Sequence, residues 1–334
     1  MFRFNNWWSV ITPQILGWIY FCELIADHSF LITDWHKVAF FFLGVISISA
    51  FGYVFNDYCD IDSDRISGKK NSLSKFSSQI RILIILLPLI AGITCWALVH
   101  AATITNTLYA LQILALILYS APPVRFKKRK ILGVVADSFY GHINPAFFTV
   151  FTFLPINSKT SAIIITLLAL ILVCTTFKGI RNIWLHQLAD RKKDRQANIQ
   201  TFVVKHGALF TLTFINNLLP FEVFFTVVLS LILSFLFPPF FIGFLLFCIL
   251  TYFKFSGWKL AYIPQRQLKF KFLYFINDYY EGWLPVFLLI ILCSRNPVFL
   301  FLLLLHLILF PAFITKLWND IKTIQQNFKT EDDY

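Results

Sequence analysis

Long apolar runs separated by short polar stretches recur from one end of the chain to the other. Most of these runs have about 17–25 residues, the length that a helix needs to cross the hydrocarbon core of a bilayer. The pattern predicts an all-α polytopic membrane protein, a bundle of nine or ten transmembrane helices. We assign ten segments, of which the last two form either two spans, one hairpin, or one span with a re-entrant piece. Their bounds are 11–27, 36–58, 80–99, 102–119, 131–154, 162–186, 208–236, 238–253, 280–294 and 297–315.

The composition agrees with a membrane-embedded chain. Hydrophobic residues make up 58% of the 334 residues, and the mean hydropathy is +0.70, whereas soluble domains are about 45–50% apolar. Because no polar stretch is long enough for a soluble domain, we expect a single membrane-embedded domain over residues 1–334. The six cysteines are scattered and lack a CxxC spacing, which indicates neither a zinc site nor a disulfide framework.

The formal net charge of +12 is concentrated in a few polar stretches. Most of the 29 lysines and arginines lie at 59–79, 120–131, 187–207 and 254–277, each stretch following an even-numbered segment. Loops rich in Lys and Arg stay on the cytoplasmic side of a membrane. We therefore expect a multi-pass integral protein, of the cytoplasmic membrane in a bacterium, with both termini in the cytoplasm. This topology explains the excess charge, and nucleic acid is not an expected partner.

An acidic stretch at residues 56–64 follows the second apolar segment. Asn56, Asp60 and Asp64 recur every fourth residue and therefore share one helical face, with Asp57 beside them. Carboxylate oxygens are the ligands that hard divalent cations take in proteins. Acids at the end of a membrane helix are sparse and usually functional. The pattern favours a divalent-cation site over the alternative, a solvated acidic helix end.

A second acidic pair, Asp190 and Asp194, stands at the end of the sixth segment and has the spacing of Asp60 and Asp64. This correspondence predicts two related helical halves, about 1–130 and 131–334, each with one acidic edge. Two such edges facing each other across a cavity would hold Mg²⁺, which prefers a few carboxylates together with phosphate oxygens of a substrate. The two motifs therefore predict a Mg²⁺-dependent diphosphate site that faces the cytoplasm.

These motifs resemble those of the UbiA superfamily of intramembrane prenyltransferases. Residues 56–64 match that family's NDxxDxxxD pattern, Asp190 and Asp194 match its DxxxD pattern, and residues 119–127 resemble its YSxPPxRxK loop. The resemblance covers about residues 1–210 and implies a helical bundle around a central cavity. The Mg²⁺ ligands that it implies are Asn56, Asp57, Asp60, Asp64, Asp190 and Asp194, with Asp60, Asp64, Asp190 and Asp194 as the catalytic residues among them.

The reaction that the resemblance implies is transfer of an isoprenyl group from its diphosphate to a lipophilic acceptor in the bilayer, often an aromatic ring. The diphosphate leaves only if cations meet its growing negative charge. Water would quench the resulting carbocation, so the site must be dry. Arg125 and Lys127 lie in the loop that resembles the family's, and Lys69 and Lys70 stand where the family often has Arg-Pro. We expect these four basic residues to contact the diphosphate.

Four more polar residues within apolar segments are candidates for substrate binding. Lys178 and Arg181 share a face of the sixth segment and would bind the diphosphate or an anionic acceptor. The alternative is that both side chains snorkel to the membrane interface. Tyr140 and His142 lie in the unusually polar fifth segment, where they would contact substrate or belong to a hydrogen-bond network between helices.

Two other functions are compatible with the motifs. A terpene cyclase on the same scaffold would need the same aspartates but no acceptor, because its carbocation is captured internally. A membrane transporter belongs to a different class, and transporters usually bind substrates near the midplane with broken helices. The acids of this chain stand instead at helix ends on one side, so prenyl transfer is the preferred hypothesis.

Overall fold

The computed structural model describes residues 8–66, 68–154, 160–196, 199–256 and 272–331. In these ranges the chain forms helices joined by turns, with one isolated β-bridge between Lys130 and Thr201. The predicted all-α fold class is confirmed.

The described ranges contain twelve helices of eight or more residues. They are α1 (Thr12–Ile25), α2 (Trp35–Cys59), α3 (Ser78–Ala97), α4 (Thr103–Ser120), α5 (Ile131–Ser138), α6 (Asn144–Phe153), α7 (Ala162–Gln196), α8 (Ala208–Leu236), α9 (Pro239–Ser256), α10 (Leu284–Arg295), α11 (Phe299–Leu309) and α12 (Ala312–Glu331).

Most of the predicted apolar segments coincide with one of these helices, whereas the segment at 131–154 is divided into α5, a π-helical turn and α6. Six helical stretches in the described ranges are long and apolar enough to cross a membrane, and a bent pair of helices would bring the number to seven. By helix length and composition, fewer helices qualify as spans than the nine or ten predicted. The count of nine or ten therefore stays a prediction. The six stretches are Trp35–Cys59, Ser78–Ala97, Thr103–Ser120, Ala162–Gln196, Ala208–Leu236 and Phe275–Arg295.

The segment predicted at 297–315 is not one straight helix. It is divided between α11 and α12, whose axes differ by 72°. The break falls at Phe310 and Pro311, because proline has no backbone N–H to donate and disfavours helical geometry in the residue before it. The apolar pattern continues across this point, which explains why the sequence predicted one segment.

The chain packs as two compact units. The first unit comprises Ile25–Glu222, and the second comprises Trp8–Leu24 together with the chain from Val223 onward. All of the predicted site residues belong to the first unit. The relation between two helical halves that meet near residue 130 stays a prediction.

Aromatic side chains fill one end of the first unit. Phe41 on α2 packs against Trp96 and Phe148, with ring centroids 5.8 Å away in each case, and Trp96 stacks on Tyr109 at 3.9 Å. Phe41 precedes Asp60 by 19 residues, which corresponds to about 28 Å along a helix. The unit therefore has an apolar aromatic end and, at the other end of α2, a polar end with the acidic motif.

A π-helical turn at Phe139–Ile143 joins α5 to α6. It leaves the Tyr140 carbonyl to accept a hydrogen bond from Gln112 Nε2 at 2.7 Å, and Gln112 in turn accepts one from Asn144 Nδ2 at 2.8 Å. Beside the turn, a Cβ atom at Gly179 of α7 would lie 2.9 Å from the Ser138 Cα. Glycine therefore allows the two backbones to approach closely, which fixes this turn against α7.

The second unit contains a corresponding π-helical turn, Tyr279–Trp283, which is followed by a proline at the second position of α10, as the first turn is followed by Pro145. Its two tyrosine hydroxyls are hydrogen-bonded inside the unit. Tyr280 lies 2.6 Å from Thr226 Oγ1, and Tyr279 lies 2.5 Å from Ser230 Oγ.

Candidate active site

The first acidic motif is held at the end of α2. Asp60 follows the last helical residue, and a short helix, Ile61–Ile66, then carries Asp64 back into the protein. Asp57 and Asp64 are both buried. The side-chain amide of Asn71 donates to the Asp57 carbonyl at 2.7 Å and to Asp64 Oδ2 at 2.8 Å. Asn71 therefore ties the two ends of the motif together.

Two basic side chains from the loop after α4 reach the same motif. Lys127 Nζ lies 2.6 Å from Asp60 Oδ1 and 2.7 Å from Asn56 Oδ1. Arg125 donates to Asp60 Oδ1 at 2.7 Å and to the Cys59 carbonyl at 3.0 Å. The Arg125 backbone has a φ of 40°, a left-handed conformation that is costly for this residue type. The contacts with residues 59 and 60 compensate for this strain.

The electrostatic balance at Asp60 follows from these contacts. Burial alone would raise the pKa of the Asp60 carboxyl, but the Lys127 ammonium and the Arg125 guanidinium outweigh burial and hold the pKa below its usual value of 3.8. The Asp60, Lys127 and Arg125 side chains are 16%, 11% and 17% exposed, so water screens them only in part. Asp60 is therefore a carboxylate stabilised by two cations.

The second acidic motif lies at the end of α7 and approaches the first. Asp194 interacts electrostatically with Asp190, Lys69 and Asp60, and the Thr201 hydroxyl lies close to its carboxyl group. The β-bridge between Lys130 and Thr201 joins the loop after α4 to the loop after α7. Three of the four basic stretches thus meet at one end of the first unit, around both acidic motifs. Most of the fourth, 257–271, lies outside the described residues.

The donor atoms of the first motif fit a divalent cation. Among the described residues, no three His, Cys, Asp or Glu side chains are already grouped as a metal site. However, oxygens of Asn56 and Asp60, one helical turn apart, converge on the single positive charge of Lys127. The Lys127 ammonium therefore occupies a position where two side-chain oxygens bind a positive charge. Mg²⁺ also prefers oxygen ligands, so the same two oxygens suit this metal ion.

Other predicted basic residues have different surroundings. Lys69 is half-buried and close to Asp194, whereas Lys70 is exposed. Arg181 is wholly buried and forms a bidentate ion pair with Glu222, with N–O distances of 2.6 and 2.8 Å. Lys178 is also wholly buried. The Lys178 and Arg181 side chains are therefore directed into the protein rather than to its surface, which argues against snorkelling.

Tyr140 and His142 lie in and beside the π-helical turn. The Tyr140 hydroxyl donates to Asp137 Oδ1 at 2.5 Å. His142 is 8% exposed, its Nδ1 has no hydrogen-bond partner, and it interacts electrostatically with Lys178 and Arg181. Both residues therefore join polar groups inside the first unit, while their contact with substrate stays a prediction.

Three residues at the site were not among the predicted site residues. Asn71 bridges the first motif, Ser120 donates to Asn56 Oδ1 at 3.0 Å, and Glu222 pairs with Arg181. Ser120 lies in the stretch that resembles the family loop, and Asn71 directly follows Lys70, a predicted site residue. The sequence neighbours of both residues therefore indicated that they lie near the site. For Glu222, the signal was an acid inside an apolar segment.

A family model for the UbiA prenyltransferase family matches residues 19–277 of the chain. Among solved structures, a UbiA homologue from Archaeoglobus fulgidus bound to DMAPP and Mg²⁺ is similar, with a TM-score of 0.54, 16% identity, and coverage of 86% of this chain and 97% of that chain. A UbiA homologue from the same organism bound to GPP and Mg²⁺ gives a TM-score of 0.51 and 15% identity, with 97% and 98% covered. A comparison with curated protein sequences found no match.

A third similar structure comes from work on digeranylgeranylglyceryl phosphate synthase in membranes. Its TM-score is 0.52 at 17% identity, with 87% of this chain and 94% of that chain covered. At these identities the solved structures show a shared fold. The family model extends over well over half of the chain and includes both acidic motifs and the loop between α4 and α5. The chain therefore belongs to the UbiA prenyltransferase family.

Proposed function

We propose that this protein is a Mg²⁺-dependent transferase that moves an isoprenyl group from its diphosphate to a lipophilic acceptor. The acceptor that we propose contains an aromatic ring. The observation that carries the proposal is the convergence of Asn56 and Asp60 oxygens on the Lys127 ammonium, next to Arg125. Oxygen ligands and cationic side chains next to each other are what a metal–diphosphate substrate requires.

The residues divide into two roles. Mg²⁺, when bound, would neutralise charge that develops on the departing diphosphate. The cation would be held by Asn56, Asp57, Asp60, Asp64, Asp190 and Asp194. Lys127 and Arg125 would exchange their contacts with the first motif for contacts with the diphosphate, and Lys69, which is close to Asp194, would approach it from the other motif. Lys70, Lys178 and Arg181 are further candidates for this role. Of these, Lys70 is exposed and Arg181 is engaged with Glu222.

The similar proteins support the choice of donor. UbiA homologues from Archaeoglobus fulgidus have been solved with DMAPP or GPP and Mg²⁺, which are an isoprenyl diphosphate and a metal of the kind proposed. Apolar helices around the site would keep water from the carbocation. The proposed setting is a lipid bilayer, with the site on the cytoplasmic side, as the basic stretches predict.

Product analysis would test the proposal. Purified protein in lipid nanodiscs would be incubated with geranyl, farnesyl or geranylgeranyl diphosphate and Mg²⁺, with and without a panel of phenols and naphthols. We expect a prenylated acceptor only when donor, acceptor and Mg²⁺ are all present, and none after chelation with EDTA. A cyclic hydrocarbon or alcohol formed from the donor alone, with no transfer, would favour the terpene cyclase instead.

A further inference from the structure

Three tyrosines and one aspartate, Tyr53, Tyr119, Tyr140 and Asp137, form a group inside the first unit, which we call the tyrosine–aspartate cluster. Asp137 accepts a hydrogen bond from the Tyr140 hydroxyl at 2.5 Å, and the Tyr119 hydroxyl lies close to the same carboxyl group. The rings of these two tyrosines meet edge to face with centroids 5.1 Å apart. Tyr53 is close enough to Tyr140 to interact with it electrostatically. The carboxylate of Asp137 is thus held in place by phenolic hydroxyls.

The cluster lies next to both acidic motifs. Tyr53 precedes Asn56 by three residues and Asp60 by seven, so it shares their face of α2, about 10 Å below Asp60 along the axis. Tyr119 interacts electrostatically with both Asp60 and Asp194. A diphosphate between the two motifs would therefore place the first carbon of its isoprenyl group toward this cluster.

The residues that support the tyrosine–aspartate cluster are buried, whereas the members of the cluster are partly exposed. Gln112 and Asn144 fix the π-helical turn that carries Tyr140, and Ser138, next to Asp137, is packed against Gly179. In contrast to these buried neighbours, the four members of the cluster are half-buried. Part of the surface of each member therefore remains accessible, while the turn that carries Tyr140 is fixed by buried neighbours.

We propose that Asp137 is the group that removes the proton from the acceptor, an inference that rests on the proposed function. The C1–O bond of the donor breaks and its electron pair leaves with the diphosphate. A new bond forms between C1 and the acceptor atom, and the proton that the acceptor loses passes to a carboxylate oxygen of Asp137. Tyr119 and Tyr140 are positioning residues that direct this carboxylate toward C1.

Other nearby bases suit this step less well. The carboxylate of Asp60 is already bound to Lys127 and Arg125. His142 is surrounded by Lys178 and Arg181, and two cations disfavour the gain of a further positive charge. Asp137 is a carboxylate among tyrosine hydroxyls instead, so a proton transferred to it neutralises a negative charge and creates no positive one.

The variant Asp137→Asn tests this assignment, because asparagine retains an oxygen that can accept the hydrogen bond from Tyr140. Three quantities would be measured: Mg²⁺-dependent binding of geranyl thiodiphosphate, diphosphate release from geranyl diphosphate, and prenylation of 1-naphthol or of another phenol that the wild type accepts. We expect binding and release within about threefold of wild type, and transfer slower by roughly 10²-fold or more. Geranyl alcohol should replace the prenylated product, because water then captures the carbocation.

An isotope effect would separate proton removal from a merely structural role. Ring-deuterated 1-naphthol should react more slowly than the unlabelled compound in Asp137→Asn but not in the wild type, since loss of the base makes proton removal rate-limiting. Tyr140→Phe, which deletes only the hydroxyl, should show a weaker form of the same effect. Asp62→Asn is the control, because the Asp62 side chain is 87% exposed and outside the cluster.

Two results would overturn the inference. One is a transfer rate for Asp137→Asn and Tyr140→Phe within twofold of wild type. The other is a loss of geranyl thiodiphosphate binding in Asp137→Asn equal to the loss of transfer, which would assign Asp137 to the donor site. If the wild type itself releases no diphosphate from geranyl diphosphate in the presence of Mg²⁺, the proposed function fails, and this outcome is distinct from either of the others.

Discussion

The ammonium of Lys127 lies 2.6 Å from Asp60 Oδ1, and the same nitrogen lies 2.7 Å from Asn56 Oδ1. A basic residue from the loop after α4 thus neutralises the motif that we propose as a metal site. Such a contact has two consequences. It stabilises the carboxylate when no metal is bound, and it places a basic group that we propose to bind phosphate next to the proposed metal ligands before substrate arrives.

Replacement of Lys127 should therefore affect two ligands in opposite directions. In Lys127→Met we expect Mg²⁺ alone to stabilise the protein more than it stabilises wild type, because a competing cation has been removed. Binding of geranyl thiodiphosphate with Mg²⁺ should weaken about tenfold or more, since a charge-assisted hydrogen bond is lost. Thermal unfolding with each ligand would measure both effects. Lys75→Met, which alters an exposed lysine of the loop after α2, should show neither effect. A change of both ligands in the same direction would contradict the proposed exchange of contacts.

The stability of the metal-free protein should depend on Asp60 at low pH. Two cations hold the pKa of Asp60 below 3.8 in the folded state, against the opposing effect of burial. A carboxyl with a lowered folded pKa stabilises the fold above its unfolded pKa, and the contribution is lost as pH falls through the folded pKa. We expect the unfolding temperature in detergent to drop below about pH 4, and to drop less in Asp60→Asn. Asp62→Asn should follow wild type, and an identical loss in all three proteins would exclude this role of Asp60.

The buried pair of Arg181 and Glu222 should be sensitive to the loss of one partner. Both side chains are wholly buried, so Glu222→Gln would leave a guanidinium without its counter-charge. Breaking a buried ion pair in this way costs about 3–5 kcal/mol, whereas apolar replacement of both partners is often neutral. Unfolding titrations should therefore show a large loss for Glu222→Gln and a much smaller one for the double variant Arg181→Met and Glu222→Leu. Equal losses in both variants would show that the attraction between the two charges does not account for the stability that these residues provide.

The fold was largely predictable because apolar runs in a membrane protein form helices. The segment predicted at 208–236 has the same bounds as Ala208–Leu236. The π-helical turns were not predictable, since the turn at Phe139–Ile143 depends on Gln112, a residue on another helix. The break at Pro311 was missed because the apolar pattern continues through it. The end of α2 followed from where the acids begin, at Asp60, whereas α7 continues through Asp190 and Asp194 to Gln196.

The side-chain partners at the site were less predictable than its location. The family membership inferred from residues 56–64 and from Asp190 and Asp194 is confirmed, while the roles of the individual side chains stay predictions. The pairing of Arg181 with Glu222 joins residues that are 41 positions apart, and no local pattern indicates it. The contact of Lys127 with Asn56 depends on the conformation of the loop around Arg125, which hydrophobic periodicity does not determine.

The most direct test of the central claim is Mg²⁺-dependent release of diphosphate from geranyl diphosphate by the wild type, Asp60→Ala and Asp190→Ala. We predict that the wild type releases diphosphate only with Mg²⁺ and that each variant is slower by roughly 10²–10³-fold, because one half of the cation site is lost. Asp62→Ala, which alters an exposed acid of the same stretch, should retain the wild-type rate. Unchanged Mg²⁺-dependent release in both Asp60→Ala and Asp190→Ala would contradict the account.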